Sequence, residues 1–257
     1  MNQLSSENEL FKERNVNADL SLWWRDVSAS FSQVVTEASL LEQTQHFGKR
    51  LGFDYVAVGA KGMAITGKND AALIISNYPS AWQDRYMHAG YLSIDPTVRI
   101  GTRSRNAIIW SDAIFSKAHD LWSEAQDFEL RAGVAQSSWA RGGVFTLLTL
   151  ARSQSPVTSV EAHELQPHLL MLAEFVTSKL QNLIDSENSK RYRHQLSPRE
   201  IEVLKWSAQG KTTYELSTML GVASATVQFH VQNAKRKLGV TTKTQATDYA
   251  RRLGLID

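Results

Sequence analysis

Residues 214–238 read YELSTMLGVASATVQFHVQNAKRKL, and this stretch decides the fold of the C-terminal part of the chain. Small and apolar residues recur at helical spacing on both sides of Gly221, which predicts two helices joined by a tight turn. No acidic residue occurs between positions 216 and 247, and three basic residues close the second helix. The pattern therefore predicts a helix-turn-helix that binds DNA; a small helical bundle with a basic surface is the alternative.

Capping signals extend this prediction to four helices. Ser197 and Glu200 are spaced as a capping box, and Pro198 occupies the first helical position. The expected limits are Ser197 to Gly210, Thr212 or Thr213 to Gly221, Ser224 to Gly239, and about 243–253. Residues 190–257 carry twelve Lys and Arg against five Asp and Glu, so this end of the chain is basic and the remainder is net acidic. Such an asymmetry indicates that only one end meets a polyanion.

A helix that reads DNA presents side chains near its N-terminus to base edges, while basic residues and helix N-termini hold phosphates. Early positions of the third helix, its basic end and the start of the second helix meet these needs. The candidate DNA-contacting residues are Lys211, Thr212, Ser224, Thr226, Val227, Gln228, His230, Lys235 and Arg236.

Residues 196–246 resemble the DNA-binding domain of LuxR-type transcription regulators. The matching residues are Glu200, Leu204, Gly210, Lys211, Thr226-Val227, His230 and Lys237-Leu238. The family usually carries a lysine after Thr-Val, where this chain has Gln228, and Gln232 replaces a position that is frequently basic. Because glutamine can pair bidentately with adenine, we expect Gln228 to read a base and the operator preference to differ from the family's usual one.

The N-terminal part of the chain mixes two hydrophobic periods. Strands are predicted at 53–60, 71–77, 107–110 and 143–152, and helices at 28–51, 79–90, 118–132 and 160–184. Their irregular alternation favours an antiparallel sheet with helices on its faces over a doubly wound parallel sheet. The predicted fold class is α+β: an N-terminal α/β/α sandwich with an antiparallel sheet, followed by a C-terminal four-helix helix-turn-helix domain.

Composition along the chain gives the expected domain limits. Residues 1–18 are expected to be a flexible tail, 19–184 a ligand-sensing domain, 185–195 a linker and 196–257 the DNA-binding domain. The chain has no cysteine, which excludes disulfides and thiolate metal sites. It shows neither a signal peptide nor an apolar run of membrane-spanning length. We therefore expect a soluble, cytoplasmic protein with no membrane partner.

Residues 77–96, NYPSAWQDRYMHAGYLSIDP, are rich in aromatic side chains. Trp82 and Tyr86 are four apart and share one helix face, as core residues commonly do. Asp95-Pro96 alone is typical of a turn or a helix cap. The pattern nevertheless resembles the acyl-homoserine-lactone-binding domain of quorum-sensing regulators, in which NYPxxWxxxYxxxxYxxxDP is followed by a tryptophan, here Trp110, and an Arg-x-Gly step, here at Gly133.

This resemblance implies a pocket for an N-acyl-homoserine lactone as effector, with no cofactor. Asp95 would accept from the ligand's amide N–H, Trp82 would donate to the lactone carbonyl, and Tyr78 would donate to the acyl carbonyl. Trp110 and Phe115 would cover the lactone ring, Tyr86 would pack along the acyl chain, and Thr149 would assist. The implied ligand-binding residues are Tyr78, Trp82, Tyr86, Asp95, Trp110, Phe115, Gly133 and Thr149.

One departure concerns residues 133–143, GVAQSSWARGG, where the family often has proline near position 137 in a short strand. Here Gln136, Ser137 and Trp139 make the edge more polar and bulkier, which favours a different preference for acyl length or for the substituent at the third carbon, or a different ligand.

The function expected is that of a ligand-responsive transcription regulator of quorum sensing. Its expected partners are double-stranded DNA with a palindromic operator, a small-molecule autoinducer, a second copy of the chain and RNA polymerase. A regulator of the same architecture that responds to a non-lactone molecule is the alternative. An enzyme is disfavoured because the seven histidines are scattered and form no HxH pair.

Overall fold

The structure, a computed structural model, describes residues 20–62 and 72–257. Two compact units divide these residues: the first comprises 20–62 and 72–181, and the second comprises 182–257. The tail expected at residues 1–18 and the first residue of the strand expected at 71–77 lie outside the described residues. None of the described helices is long and apolar enough to cross a lipid bilayer.

The first unit is built on a five-stranded sheet in which every neighbouring pair is antiparallel. In chain order the strands are β1 (Tyr55–Lys61), β2 (Ala72–Ser76), β3 (Ile108–Ile109), β4 (Ala132–Ala140) and β5 (Val144–Arg152). Their order across the sheet is β2-β1-β5-β4-β3. The expected antiparallel sheet is confirmed, and the polar segment after Gly133 is a full nine-residue strand paired along its length with β5.

Within residues 20–62 and 72–195, seven α-helices accompany the sheet. They are α1 (Leu20–Ser32), α2 (Glu37–Arg50), α3 (Ser80–His88), α4 (Pro96–Gly101), α5 (Asp112–Phe115), α6 (His119–Asp127) and α7 (Ser159–Gln195). The single helix predicted at 28–51 is wrong, because α1 ends at Ser32 and a new helix begins at Glu37. The side chain of Thr36 caps this second helix in a capping box with Ser39. The helix predicted at 118–132 also ends early, because the chain turns at Glu129, which has a positive φ of 64°, and Ala132 already belongs to β4.

The two faces of the sheet pack against different helices. A Cβ placed on Gly48 of α2 would lie 2.8 Å from Val56 Cγ1 and 3.5 Å from Leu150 Cδ2, so these strand residues face α2. Helix α7 packs on the same face, where Gln166 donates to Gln136. Alternate strand residues face the other side, on which α3 to α6 lie around the aromatic residues of the stretch 77–96. Buried apolar residues thus lie on both faces of the sheet.

A buried ion pair fixes α7 to the end of β5. Arg152 donates from both terminal nitrogens to the two carboxylate oxygens of Glu161, at 2.7 and 2.8 Å. Arg152 also donates to the carbonyl groups of Ser155 and Pro156 in the connecting turn. Helix α7 continues to Gln195, so the expected linker 185–195 is helical; its Lys, Arg, Glu and Gln side chains have favourable helix propensities.

The second unit contains α8 (Pro198–Ala208), α9 (Thr213–Leu220), α10 (Ser224–Leu238) and α11 (Lys243–Arg252). The predicted Ser197–Glu200 capping box and the stops at Gly221 and Gly239, both left-handed, are confirmed. The predicted cap at Ser224 is wrong: Ala223 is the cap residue and makes no side-chain cap bond. The hydroxyl of Ser224 instead donates to Ser217 Oγ at 3.2 Å, across the turn.

Candidate ligand pocket and nucleic-acid interface

An aromatic cluster lies between the sheet and helices α3 to α6, and it gathers most of the predicted ligand residues. Trp82 and Phe115 are buried in it, and Tyr78, Tyr86 and Trp110 pack against it half-buried. Segments from residue 78 to residue 115 are thereby brought to one place on one face of the sheet. Thr149 of β5 is buried and pairs with Ala57 and Ala135 on the neighbouring strands. It lies two residues before Ala151 of the cluster, so its side chain is on the same face of the sheet.

Asp95 is the acceptor at one end of this cluster. Its Oδ1 accepts from the backbone N–H of Thr97 at 2.8 Å and from the Thr97 hydroxyl at 2.6 Å, while its Oδ2 accepts from the Tyr86 hydroxyl at 2.9 Å. The carboxylate also caps α4, with Pro96 in the first turn. A carboxylate oxygen can accept two hydrogen bonds, and Oδ2 accepts the Tyr86 hydroxyl, so Oδ2 retains acceptor capacity.

Burial controls the electrostatics of this end of the cluster. Burial raises the pKa of Asp95, and hydrogen bonds from Thr97, from Tyr86 and from the backbone N–H of Val98 oppose that increase. Burial, followed by the nearby Asp95 carboxylate, raises the pKa of Tyr78 and Tyr86 above the usual range. Both phenols therefore keep their protons at neutral pH and act as donors. Tyr86, expected to pack along an acyl chain, already donates to Asp95.

Two buried donors in the cluster have no hydrogen-bond partner among the described residues. They are the Tyr78 hydroxyl and the indole N–H of Trp110. A buried polar group without a partner is costly, and such groups are commonly satisfied by a ligand or a water molecule. Two unpaired donors and a carboxylate with spare acceptor capacity match a molecule that offers both acceptors and an N–H.

Gly133 is a predicted site residue whose contribution is the absence of a side chain. A Cβ at this position would lie 2.6 Å from Trp110 Cδ2 and 2.9 Å from the carbonyl oxygen of Leu150. The carbonyl of Gly133 also accepts from the backbone N–H of Trp110 at 2.9 Å. The glycine therefore sets how closely the indole approaches the sheet.

Several contacts in the cluster were missed by sequence reasoning. Trp122 stacks on Phe115 at a centroid distance of 4.7 Å, meets Trp110 edge to face and donates to Asp112 at 2.6 Å. Its helical spacing from Ala118 and Ala125, which are buried in the same cluster, was the available signal. Thr97 was missed although Asp95-Pro96 is typical of a helix cap, because the partner of the capping carboxylate was not assigned.

An ion pair ties together the two helices that cover the cluster. Arg85 of α3 donates to both carboxylate oxygens of Glu124 of α6, at 2.6 and 2.7 Å, and it lies over the ring of Tyr91. Hydrogen bonds from Arg85 and Tyr91 lower the pKa of Glu124 to about 2. Both side chains remain partly exposed, so the pair orients the helices more than it stabilises the fold.

In the second unit, α9 and α10 form the predicted helix-turn-helix. Leu216, Val227 and Val231 are buried against α8, and Gly221 turns the chain with a φ of 62°. The exposed side of α10 carries Ser224 and Gln228 near its start and Arg236 near its end. Thr226, His230 and Lys235 are half-buried beside them.

The structure changes the reading of two predicted DNA contacts. Val227 is fully buried in the helix-turn-helix core, so its side chain cannot reach a base edge. At the start of α9, both the N–H and the hydroxyl of Thr212 donate to Glu215, which also lies 3.5 Å from Lys211. A carboxylate therefore already occupies the place where a phosphate was expected.

The three basic residues that end α10 are not equivalent. Lys237 donates to both oxygens of the buried Glu200 of α8, at 2.9 and 2.7 Å. Burial alone would raise the pKa of Glu200, but the hydrogen bonds from Lys237 and from Ser197 lower it below its usual value. Lys235 and Arg236 reach only Gln232 and Asn233 on their own helix, which leaves them available to phosphates.

Comparison with known proteins gives matches over both units. The family of autoinducer binding domains matches residues 36–180, and the luxR family of bacterial regulatory proteins matches residues 194–250. The transcriptional activator protein SolR of Ralstonia nicotianae is 38% identical over 233 residues, which cover 91% of this chain and 98% of SolR. The quorum-sensing regulator RhlR of Pseudomonas aeruginosa is 32% identical over 237 residues, covering 91% and 97%.

Solved structures with the same fold include that of a regulatory protein. The crystal structure of Escherichia coli SdiA matches with a TM-score of 0.70 at 28% identity and covers 92% of this chain and 99% of its own. A structure of SdiA in complex with octanoyl-rac-glycerol matches with a TM-score of 0.68 at 26% identity, with coverage of 91% and 95%.

Gly133→Ala should force Trp110 away from the sheet, because the added methyl group has no room. We expect the free energy of unfolding to fall by about 2 kcal/mol, as for other overpacked sites, measured by urea denaturation followed by tryptophan fluorescence. Gly59→Ala on β1 is the matched control: no described atom lies within 4 Å of the added Cβ, so stability should stay the same or rise. Equal stability of the two variants would contradict the role given to Gly133.

Lys237→Met and Lys235→Met should separate stability from DNA contact. The first leaves the buried Glu200 without its cation, so we expect a loss of about 2 kcal/mol of unfolding free energy. The second should leave stability within about 0.5 kcal/mol but reduce the salt dependence of duplex binding, by about one in the slope of log K against log salt. A lower salt slope for Lys237→Met at unchanged stability would reverse the assignment.

Proposed function

Because this chain belongs to the LuxR family of autoinducer-responsive, DNA-binding transcription regulators and is not an enzyme, we propose that its effector is an N-acyl-homoserine lactone. We further propose that a homodimer binds a palindromic operator in the cytoplasm and acts there on RNA polymerase. The first unit would hold the lactone, and α10 of the second would enter the major groove.

The observation that carries the proposal is the arrangement around Asp95. A lactone of this class has one amide N–H and two carbonyl groups in its head. The free acceptor position on Asp95 Oδ2 suits the amide N–H, because the other positions are taken by Thr97 and Tyr86. The unpaired Tyr78 hydroxyl suits the acyl carbonyl, and Trp82 suits the lactone carbonyl. Trp110 and Phe115, edge to face at 6.0 Å, would cover the lactone ring.

Ligand binding would act on the protein by mass action. A molecule that binds the folded chain and not the unfolded chain stabilises it by about 2.7 kcal/mol at a hundred times its dissociation constant. Here the ligand would also satisfy the buried Tyr78 hydroxyl, for which the described residues provide no partner. For dimerisation we propose exposed surfaces of α7 and α11. The face of α11 left exposed within its own unit carries Thr244, Gln245, Asp248 and Arg251, so its contribution to a dimer would be polar.

A second candidate effector is an acyl compound without a lactone. The related SdiA has been solved with octanoyl-rac-glycerol, which carries an ester and hydroxyl groups in place of the amide and the lactone. The hydroxyl groups of such a ligand would also suit the acceptor position of Asp95. Thermal stabilisation of the Asp95 variants by amide ligands and by ester ligands therefore tests both candidate effectors.

Asp95→Asn tests the proposed effector. The amide nitrogen of asparagine would replace an acceptor with a donor beside Tyr86 or Thr97, so we expect the thermal stabilisation by N-acyl-homoserine lactones to be lost at concentrations that saturate the wild type. Asp84→Asn, on the exposed side of α3, is the matched control and should respond normally. No shift of the wild type with any lactone of a panel, or a full shift of Asp95→Asn, would contradict the proposal.

The same variant has an expected effect without ligand. Because burial raises the pKa of Asp95, the carboxyl group of Asp95 binds a proton more tightly in the folded chain than in the unfolded chain. The stability of the wild type should therefore fall as the pH rises from about 4 through the raised pKa. The stability of Asp95→Asn should not show this dependence on pH. Without ligand at neutral pH, the variant should be less stable than the wild type only by the free energy of the hydrogen bonds that it loses.

Gln228→Ala tests the proposed base contact. Gln228 is exposed in the second turn of α10, where a bidentate contact to adenine contributes about 1–3 kcal/mol of discrimination. Binding-site selection from a random duplex library should therefore lose its preference at one position of each half-site. Gln209→Ala, in the turn after α8 and exposed, is the control and should select the wild-type sequence. Identical sequences selected by Gln228→Ala and the wild type would refute the contact.

A further inference from the structure

Phe229 is a large apolar residue on the surface of α10, the helix proposed to enter the major groove. It is the sixth residue of this helix, and 62% of its surface is exposed. Its ring lies edge to face against that of His230, the next residue, at a centroid distance of 5.7 Å. Phe229 is absent from the core that Leu216, Val227 and Val231 form with α8. None of the DNA contacts assigned above uses it.

Helical geometry places Phe229 opposite the core of its unit. The buried residues of α10 are Val227, Val231, Ala234 and Leu238. At 3.6 residues per turn these four lie within about 60° of one another around the helix axis. Phe229 lies about 200° around the axis from Val227, so it projects from the side of α10 that faces away from the core.

The same outer side of α10 carries residues already assigned to DNA. Ala225 and Arg236, four residues before and seven residues after Phe229, share its stripe and are exposed. Gln228, proposed to read adenine, is the preceding residue, and Arg236 is available to phosphates. One exposed apolar residue is ordinary by itself, but this one lies between a base-reading position and a phosphate-binding position.

We propose that Phe229 reads the 5-methyl group of a thymine in the operator. This inference rests on the proposed entry of α10 into the major groove. The thymine methyl group is the apolar feature of the base edges in that groove, and phenylalanine is among the side chains suited to contact it. Consecutive Cα atoms are about 3.8 Å apart and consecutive base pairs about 3.4 Å apart. The thymine should therefore belong to the base pair that Gln228 reads or to the next one.

The chemistry of the contact explains an apolar residue at this position. A phenyl ring has neither a hydrogen-bond donor nor an acceptor for a base edge, so it contributes by removing its own surface and that of the methyl group from water. A uracil in place of the thymine keeps the O4 acceptor and lacks the methyl group. Burial of one apolar carbon corresponds to about fourfold in affinity, so each methyl group should contribute about that factor.

The test uses the full chain, without ligand and with N-acyl-homoserine lactones of four to twelve acyl carbons. A duplex selected by the wild type is remade with deoxyuridine in place of each thymine in turn, which removes the methyl group and preserves base pairing. Dissociation constants are measured for the wild type, Phe229→Ala and Phe229→Leu. Tyr214→Ala is the matched control, because it removes an exposed aromatic ring from α9 of the same unit.

Deoxyuridine at one thymine of each half-site should weaken binding by the wild type and by Tyr214→Ala about fourfold per methyl group. Phe229→Ala should bind the thymine and deoxyuridine duplexes equally, through weaker binding of the thymine duplex. Phe229→Leu, which keeps an apolar side chain, should retain part of the discrimination. Thermal unfolding of each variant checks that the fold persists, as expected for alanine at an exposed helix position.

The possible failures are distinguishable. If deoxyuridine weakens binding of the wild type at no position, or weakens binding of Phe229→Ala as much as that of the wild type, the methyl contact is overturned and the entry of α10 into the groove stands. If Phe229→Ala does not fold, Phe229→Gln takes its place: undiminished discrimination overturns the contact, and its loss supports it. A wild type that selects no sequence under either condition would overturn the proposed base reading by α10 and the methyl contact with it.

Discussion

The approach of Trp110 to the backbone of Gly133 is the contact on which the ligand pocket depends. The missing side chain lets the indole lie where a Cβ would be 2.6 Å from it, and the hydrogen bond between the two backbones, 2.9 Å long, holds it there. Phe115 and Trp122 then pack around the indole edge to face, at about the same distance. One small residue on β4 thus sets the position of rings contributed by several segments.

The pocket combines this apolar wall with polar groups that the protein does not satisfy by itself. Asp95 is held by Tyr86 and Thr97 in one orientation, so its remaining acceptor position is fixed before a ligand arrives. The described residues provide no partner for the buried Tyr78 hydroxyl, so a ligand that accepts from it adds a hydrogen bond that the protein alone does not make. The same polar groups that would bind the ligand therefore account for the proposed stabilisation by it.

Most of the second unit could be predicted from the sequence because its signals are local. Caps at Ser197 and Thr212 and the glycine stops act within one helical turn, and the structure reproduces them. Ser224 was misassigned because its hydroxyl finds a partner in Ser217 across the turn rather than at its own helix end. The burial of Glu200 under Lys237 was likewise not predictable from spacing, since it joins residues 37 positions apart.

The site residues of the first unit came from family resemblance, and periodicity alone indicated only a shared helix face. Trp122 was missed because its contacts with Phe115 and Trp110 join separate segments, whereas Thr97 was missed although its contact with Asp95 is local. The central claim is that the Asp95 carboxylate receives the ligand's amide. A crystal structure of the chain with an N-acyl-homoserine lactone tests it most directly: the amide nitrogen should lie about 2.7–3.2 Å from Asp95 Oδ2. A lactone bound elsewhere, or with its amide nitrogen more than about 4 Å from that carboxylate, would contradict it.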